Sequence, residues 1–222
     1  MDKKLLILLL LLVAFISGYY FSNNFINKEE EPIAPNPIKE NVEPLDPIKE
    51  KMAVMTVEEK IGQMVIVGLD GYDNNNNSQK MIEEYHVGGF ILFKRNIQDS
   101  QQLLRLINSL KETNAVNKVP LFFSIDEEGG KVSRMPGEIQ NLPSSKKIGE
   151  VDSGELSYQV GEIIGRKLNI FGFNMNFAPV MDINSNPKNP VIGDRAFGDK
   201  ADIVSKLGVQ TMKGLQSQNI IS

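Results

Sequence analysis

The order of apolar and amphipathic segments predicts an α/β fold with a parallel sheet, made of about four βα units. Apolar runs of strand length alternate with longer segments of helical periodicity, which is the pattern of βα repeats. Polar segments follow the third and fourth apolar runs. Folds of this kind bind ligands at the carboxyl ends of their strands, so these two segments are the first candidates for a functional site.

The predicted strands are the apolar runs. The third run, Leu-Phe-Phe-Ser-Ile, is typical of a buried strand, and a possible fifth strand begins at the end of the sequence. The predicted strands cover residues 63–69, 89–93, 121–125, 175–178 and 219–221.

The predicted helices lie between these strands. The clearest helix carries its apolar residues on one face, at Leu103, Leu106, Ile107 and Leu110. One predicted helix ends near residue 85, and the other three cover residues 99–113, 155–169 and 201–218. Four consecutive asparagines, residues 74–77, predict a solvated loop between the first strand and the first helix.

The N-terminus predicts export. Lys3 and Lys4 precede residues 5–21, which carry no charge, and the positive-inside rule places the two lysines in the cytoplasm. The apolar segment has a length between that of a signal-peptide core and that of a membrane span. No Ala-x-Ala pattern follows it, and aromatic residues at 19–21 favour an uncleaved anchor over a cleaved signal peptide. The absence of cysteine excludes a lipoprotein anchor and disulfide bonds.

The sequence therefore divides into three predicted parts. Residues 1–22 are the signal anchor or signal peptide. Residues 23–53 are rich in Pro, Glu and Lys and predict an extended tether. Residues 54–222 are the globular part. We expect an extracytoplasmic domain that is tethered to the cell membrane by its N-terminal segment or secreted.

Charge and composition argue against two classes of function. The formal net charge is −4 and no basic stripe with interleaved aromatic residues occurs, so we expect no nucleic-acid partner. The acidic residues fit no calcium loop, and the single histidine, His86, offers no zinc site. We therefore expect no metal site.

The segment Ile-Asp-Glu-Glu-Gly-Gly-Lys-Val-Ser-Arg, which ends at Arg134, is the strongest site candidate. Asp126, Glu127 and Glu128 are too close together to ionise freely unless a cation or a hydrogen-bond donor lies nearby. Lys131 and Arg134 are candidates for that cation. The two glycines allow a sharp turn or a close approach to a ligand.

The second candidate segment covers residues 174–198, where a short strand becomes a polar loop restricted by prolines. Such a loop costs entropy to order and usually has a function. We expect Asp194 to orient the neighbouring Arg195 or the loop, and Asp182 with Asn184 to hold the first turn of the loop.

These two segments resemble motifs of glycoside hydrolase family 3, and within it of the β-N-acetylhexosaminidases. The first motif is Ile-Asp-x-Glu-Gly-Gly-x-Val-x-Arg, and the second runs from Asn-Phe-Ala-Pro-Val-x-Asp to Gly-Asp-Arg-x-Phe-Gly. Residues 88–96 also look like the second-strand segment of the family, so the resemblance covers residues 56–222. It implies a (β/α)8 barrel of the TIM type, of which about the first four βα units are present.

The resemblance implies a sugar-binding role for three residues. Asp126 and Arg134 would hold hydroxyl groups of the sugar at the non-reducing end, and Arg195 would do similar work. A carboxylate accepts hydrogen bonds from neighbouring hydroxyls, and a guanidinium donates several in a fixed plane. The implied reaction removes terminal β-linked N-acetylhexosamine from a cell-wall or other glycan by a retaining mechanism, without a cofactor.

No residue of this chain matches the nucleophile or the acid/base of the family, whose motifs would follow the last residue. The resemblance also overrules the pairing of Asp126 with Glu128 as acid and nucleophile, which their closeness alone would suggest. We expect one of Glu127 and Glu128 to hold the loop against Arg134 or Lys131, and neither to attack the sugar.

Two alternatives stay open. A truncated barrel would expose two strand edges and much apolar surface, whereas the four units could instead fold alone as an open doubly wound sheet. The chain could also be complete, as a catalytically silent, membrane-tethered carbohydrate-binding module.

Overall fold

The computed structural model describes residues 16–19 and 46–222. The chain separates into two compact units, Met1–Leu45 and Asp46–Ser222. In the first unit, residues 16–19 are helical and exposed, while the rest of the predicted anchor and most of the predicted tether lie outside the described residues. No helix in the described part of the chain combines the length and the apolar character needed to cross a membrane.

The second unit contains a sheet of four parallel strands. Each strand pairs with the next one along the chain, so the strand order never reverses. A doubly wound sheet reverses its order at a switch point, so that alternative is wrong for the described strands. Ile221 forms a parallel bridge with Met175 where the fifth strand is predicted. The strands are β1 Ile66–Gly68, β2 Gly89–Leu92, β3 Phe122–Ile125 and β4 Met175–Asn176.

The helices alternate with these strands, as predicted. Three short 3-10 turns, Lys94–Asn96, Asn114–Val116 and Gly193–Arg195, complete the described elements. The helices are α1 Pro47–Ala53, α2 Val57–Gln63, α3 Asn76–Glu83, α4 Ser100–Thr113, α5 Ser145–Val151, α6 Gly154–Phe171 and α7 Ala201–Ser217.

Capping interactions explain two helices that the sequence patterns do not predict. The last residues of the predicted tether form α1, because Asp46 accepts a hydrogen bond at its N-terminus and Pro47 suits the first helical position. Thr56 and Glu59 form a capping box that starts α2. Gln63 therefore ends a helix, and the prediction that it begins a strand is wrong.

The prediction that residues 74–77 form a solvated loop is also wrong. The side chain of Asn75 accepts hydrogen bonds from the backbone N–H groups of Asn77 and Ser78 and so caps α3. Asn74 donates to the hydroxyl oxygen of Thr113 on α4, at 2.8 Å. Half of the run is thus helical, and the other half joins two helices.

One hydrophobic core joins the sheet to the inner faces of α3 to α7. The apolar face predicted for α4 is confirmed, because Leu103, Leu106, Ile107 and Leu110 are all buried. Phe90 and Phe123, from adjacent strands, are each 1% exposed. This packing holds the carboxyl ends of β3 and β4 side by side, and the two candidate segments follow these ends.

Candidate functional site

Asn176 ties the end of β4 to the segment that follows β3. Its side-chain Oδ1 accepts a hydrogen bond from the backbone N–H of Glu127, and its Nδ2 donates to the carbonyl oxygen of Glu127, both at 3.0 Å. Asn176 is 1% exposed, so these bonds are shielded from water. The two candidate segments therefore meet at a rigid junction.

Glu127 turns its carboxylate into the protein. The carboxylate is buried and accepts hydrogen bonds from the hydroxyl of Ser133 at 2.9 Å and from the backbone N–H of Arg134 at 2.7 Å. Burial nevertheless raises the pKa of Glu127. The prediction that one glutamate holds this loop is confirmed, although the contact is with the backbone of Arg134 and not with its guanidinium.

The two glycines shape the loop after Glu128. Gly129 and Gly130 have positive φ angles of 80° and 57°, which side chains disfavour. The backbone N–H of Glu128 donates to the carbonyl oxygen of Val132 at 2.9 Å, which closes a tight turn. A Cβ atom on Gly129 would lie 2.6 Å from the carbonyl oxygen of Pro143, so the loop also packs too closely there for a side chain.

Glu128 binds Arg195 across the site. The Nε and Nη2 atoms of Arg195 donate to the two carboxylate oxygens of Glu128, at 2.9 and 2.7 Å. This hydrogen bonding is the main cause that raises the pKa of Arg195. All four carboxylate oxygens of Glu127 and Glu128 therefore accept hydrogen bonds within the protein.

Asp194 interacts with lysines and not with the neighbouring guanidinium. Its carboxylate oxygens lie 3.4 Å from the Nζ atoms of Lys131 and Lys146. The charge of Lys131 is the first cause that lowers the pKa of Asp194, and hydrogen bonding with Lys146 adds to it. Asp194 was expected to orient either Arg195 or the loop, and these contacts support the role in orienting the loop. Lys146 was not predicted, because nothing in the sequence near α5 marks it.

Asp126 is the least buried of the three acidic residues after β3. Its side chain is 27% exposed, and its Oδ2 lies 3.9 Å from Nη2 of Arg134, which is too long for a hydrogen bond. Its charge also contributes to the raised pKa of Arg195, after the hydrogen bonding with Glu128. In residues 46–222, no group donates a hydrogen bond to this carboxylate. The structure thus brings Asp126, Arg134 and Arg195 together, with acceptors and donors still available.

The second candidate segment closes through its backbone. The N–H of Asn184 donates to the carbonyl oxygen of Gly198 at 2.9 Å, whereas the Asp182 side chain is exposed. The prediction that Asp182 helps Asn184 to hold the first turn of the loop is therefore wrong. The negative charge of Asp182 instead contributes to the raised pKa of Arg195. The cis peptide between Ala178 and Pro179 precedes this loop.

The acidic residues do not form a metal site in the part of the chain that the structure describes. No three His, Cys, Asp or Glu side chains of residues 16–19 and 46–222 are grouped to hold an ion. Nδ1 of His86 lies 2.9 Å from Oδ1 of Asn117, next to the amino end of the sheet. The cluster after β3 combines one partly exposed carboxylate, Asp126, with the guanidinium groups of Arg134 and Arg195.

Comparison with known proteins identifies similar sequences. Residues 56–222 match the model of the Glycosyl hydrolase family 3 N terminal domain. The chain is 38% identical to Beta-hexosaminidase A of Pseudoalteromonas piscicida over 149 residues, which are 64% of this chain and 25% of that protein. It is 33% identical to the Beta-hexosaminidase of Glaesserella parasuis serovar 5 over 146 residues, covering 66% of this chain and 41% of that protein. The chain thus spans less than half the length of these curated relatives.

Solved structures show the same similarity. A glycoside hydrolase family 3 β-N-acetylglucosaminidase from Paenibacillus superimposes with a TM-score of 0.72 and 40% identity, covering 75% of this chain and 32% of that one. NagZ from Neisseria gonorrhoeae, in complex with N-trifluoroacetyl-D-glucosamine, superimposes with a TM-score of 0.63 and 27% identity, covering 69% of this chain and 46% of that one. The predicted TIM-barrel type of fold, represented by about four βα units, is confirmed.

Proposed function

Because this chain belongs to glycosyl hydrolase family 3, we propose that it carries the sugar-binding part of a β-hexosaminidase. The proposed substrate is a glycan with a terminal β-linked N-acetylhexosamine, specifically N-acetylglucosamine derived from cell-wall material. Relatives that bear the name β-hexosaminidase support this activity, and the N-acetylglucosaminidase and NagZ neighbours support the sugar.

The observation that carries the proposal is the partly exposed Asp126, whose carboxylate lies 3.9 Å from the guanidinium of Arg134 and whose charge acts on Arg195. Its carboxylate can accept hydrogen bonds from two adjacent sugar hydroxyls, while the guanidinium groups donate to hydroxyl oxygens in fixed directions. A neutral, polyhydroxylated ligand suits this arrangement because it needs donors and acceptors in alternation. The buried Glu127 binds the backbone of Arg134, and the buried Glu128 binds the guanidinium of Arg195.

The reaction is proposed to retain the anomeric configuration. A carboxylate attacks the anomeric carbon, and water then hydrolyses the covalent glycosyl-enzyme with acid/base assistance. We assign neither role to a residue of this chain. Glu127 and Glu128 are poor nucleophiles, because hydrogen bonds already engage the oxygens of both carboxylates.

The protein is proposed to act outside the cytoplasm. The support is the N-terminal sequence, in which Lys3 and Lys4 precede the uncharged residues 5–21 and a segment rich in Pro and Glu. An N-terminal anchor would hold the sugar-binding unit near the outer face of the membrane, where it would meet cell-wall glycans.

Titration of the 222-residue chain with N-acetylglucosamine, followed by calorimetry or by amide chemical shifts, tests the proposal. We expect a dissociation constant on the order of millimolar, since a single sugar offers few contacts. Asp126→Asn should weaken binding at least about tenfold, because it removes a charged acceptor. Asp152→Asn is the matched control: it makes the same charge change at an exposed helix end in αL conformation, which asparagine tolerates, and should leave binding unchanged.

The same protein should not hydrolyse an aryl β-N-acetylglucosaminide. Detectable turnover that survives Asp152→Asn but not Asp126→Asn would contradict the assignment of no catalytic residue to this chain. Absence of sugar binding, in a chain shown by circular dichroism to be folded, would contradict the proposed sugar-binding role.

A further inference from the structure

Glu128 and Arg195 form the most deeply buried ion pair among the described residues. The two residues are 67 positions apart in the sequence, and the side chains are 4% and 29% exposed, respectively. Both carboxylate oxygens are used, at 2.7 and 2.9 Å from the two guanidinium nitrogens. A bidentate pair of this kind fixes the plane of the guanidinium as well as its position.

The pair leaves part of Arg195 available. A guanidinium has five N–H donors. Glu128 takes two of them, and the carbonyl oxygen of Val191 accepts one from Nη1 over a longer distance of 3.4 Å. The other donors lie on the edge away from Glu128, and Asp126 is close enough for its charge to raise the pKa of Arg195.

Glu128 itself has little freedom. Its backbone N–H is bonded to Val132, the next two residues are glycines in positive-φ turns, and the preceding Glu127 is bonded to Asn176 on both backbone groups. The carboxylate is thus presented from a rigid turn. Arg195, by contrast, stands on a long polar loop and a single 3-10 turn, Gly193–Arg195.

We propose that Glu128 is a positioning residue, which holds the guanidinium of Arg195 so that its remaining donors face the sugar next to Asp126. Its effect on sugar affinity rests on the proposed function, whereas its effect on Arg195 does not. Asp194, although adjacent to Arg195, does not share this role because its carboxylate is paired with Lys131 and Lys146.

The test combines an NMR signal with sugar affinity in the 222-residue chain. Glu128→Gln should move the Nε–Hε resonance of Arg195 and weaken N-acetylglucosamine binding about tenfold to a hundredfold, which is the effect expected for the loss of charged hydrogen bonds. Glu128→Asp keeps the charge but shortens the side chain, so it should also disturb both readouts. Glu162→Gln is the matched control, because it removes the carboxylate partner of Arg166 on α6, and it should change neither readout.

A double-mutant cycle separates positioning from a merely structural role. If Glu128 acts through Arg195, Glu128→Gln should cause no further loss of affinity in an Arg195→Ala chain. An equal loss in both backgrounds would overturn the proposal, as would an Arg195 Nε–Hε resonance that Glu128→Gln leaves in place.

Two further outcomes stay interpretable. If Glu128→Gln does not fold, Arg195→Lys replaces it: lysine keeps a cation for Glu128 but cannot form the bidentate pair, so binding should weaken to a similar extent. Unchanged binding in Arg195→Lys would overturn the proposal. If the wild-type chain binds no sugar, the proposed function fails, and the NMR comparison alone then decides whether Glu128 positions Arg195.

Discussion

At the scale of single residues, the acidic run after β3 divides three carboxylates between three tasks. Asp126 remains partly exposed at the site, Glu127 holds the loop from inside, and Glu128 binds Arg195. Burial raises the pKa of Glu127, and burial also lowers the pKa of Lys167 on α6, even though the attraction between the two charges acts in the opposite direction on each pKa. For both residues, the loss of solvation thus outweighs the attraction between the Glu127 and Lys167 charges.

This burial predicts how stability depends on pH. A glutamate whose pKa is raised by folding stabilises the protein fully below its unfolded value, about 4.3, and that contribution is lost as the pH rises through the folded pKa. Glu127→Gln cannot ionise but loses one hydrogen-bond acceptor. We therefore expect the variant to be less stable than wild type at pH 4, with a deficit that shrinks towards pH 7, in urea unfolding monitored by circular dichroism.

Glu138→Gln is the control with the opposite sign. Glu138 is exposed and its pKa is lowered, mainly by hydrogen bonding with Ser100, so wild type should gain stability relative to this variant as the pH rises. If both variants lost stability relative to wild type as the pH rises, the raised pKa of Glu127 would be contradicted.

At the scale of secondary-structure elements, α6 and α7 cross at glycines. A Cβ atom on Gly161 of α6 would lie 2.2 Å from the carbonyl oxygen of Thr211, and one on Gly214 of α7 would lie 2.2 Å from that of Tyr158. The hydroxyls of Ser157 and Thr211, both buried, lie 2.9 Å apart across the same interface. The small residues let the two helix backbones approach closely, and α7 leads from the Arg195 loop back to the sheet.

Gly161→Ala should therefore destabilise the protein. The added methyl group must displace backbone atoms, at a cost of about 1–3 kcal/mol, which exceeds the gain of about 1 kcal/mol from the higher helix propensity of alanine. Gly154→Ala, in the first turn of the same helix, is the matched control because its Cβ would meet only Gln210 Cγ at 3.5 Å. Thermal unfolding of both variants provides the measurement, and equal stabilisation of both would contradict the close crossing.

At the scale of the whole second unit, one core stabilises the sheet, the helices and the site together. The outer sides of the sheet remain apolar: Ile61, Met64 and Val65 are exposed beside β1, and Phe177 and Ile221 are exposed beside β4. These positions match the two open strand edges expected of a partial barrel. Burial is thus concentrated between the sheet and its helices.

A single core predicts that a substitution within it weakens the whole unit. Phe90→Ala should lower the free energy of unfolding by about 3–5 kcal/mol, because Phe90 is 1% exposed and its removal leaves a cavity. Phe177→Ala, at 49% exposure, is the matched control and should cost much less. Tyrosine fluorescence and circular dichroism should report the same shifted transition for Phe90→Ala, and two separate transitions would contradict one cooperative core.

By itself, the sequence determined the βα order, the buried face of α4 and the segments that form the site. These features depend on local apolar periodicity and on turn residues, which neighbouring positions encode. Capping residues such as Thr56 and Asn75 are also local signals for the start of a helix. The neighbouring apolar run and asparagine run instead favoured a strand and a loop at these positions.

The tertiary structure alone decided the partners within the site. Glu128 could have paired with Lys131, three positions away, yet it binds Arg195, while Lys131 binds Asp194. The choice depends on the pairing of β3 with β4 in the sheet, which brings the segment after β4 next to Glu128. Residues 67 positions apart meet because a shared core places two strand ends side by side, and no local pattern in the chain records that distance.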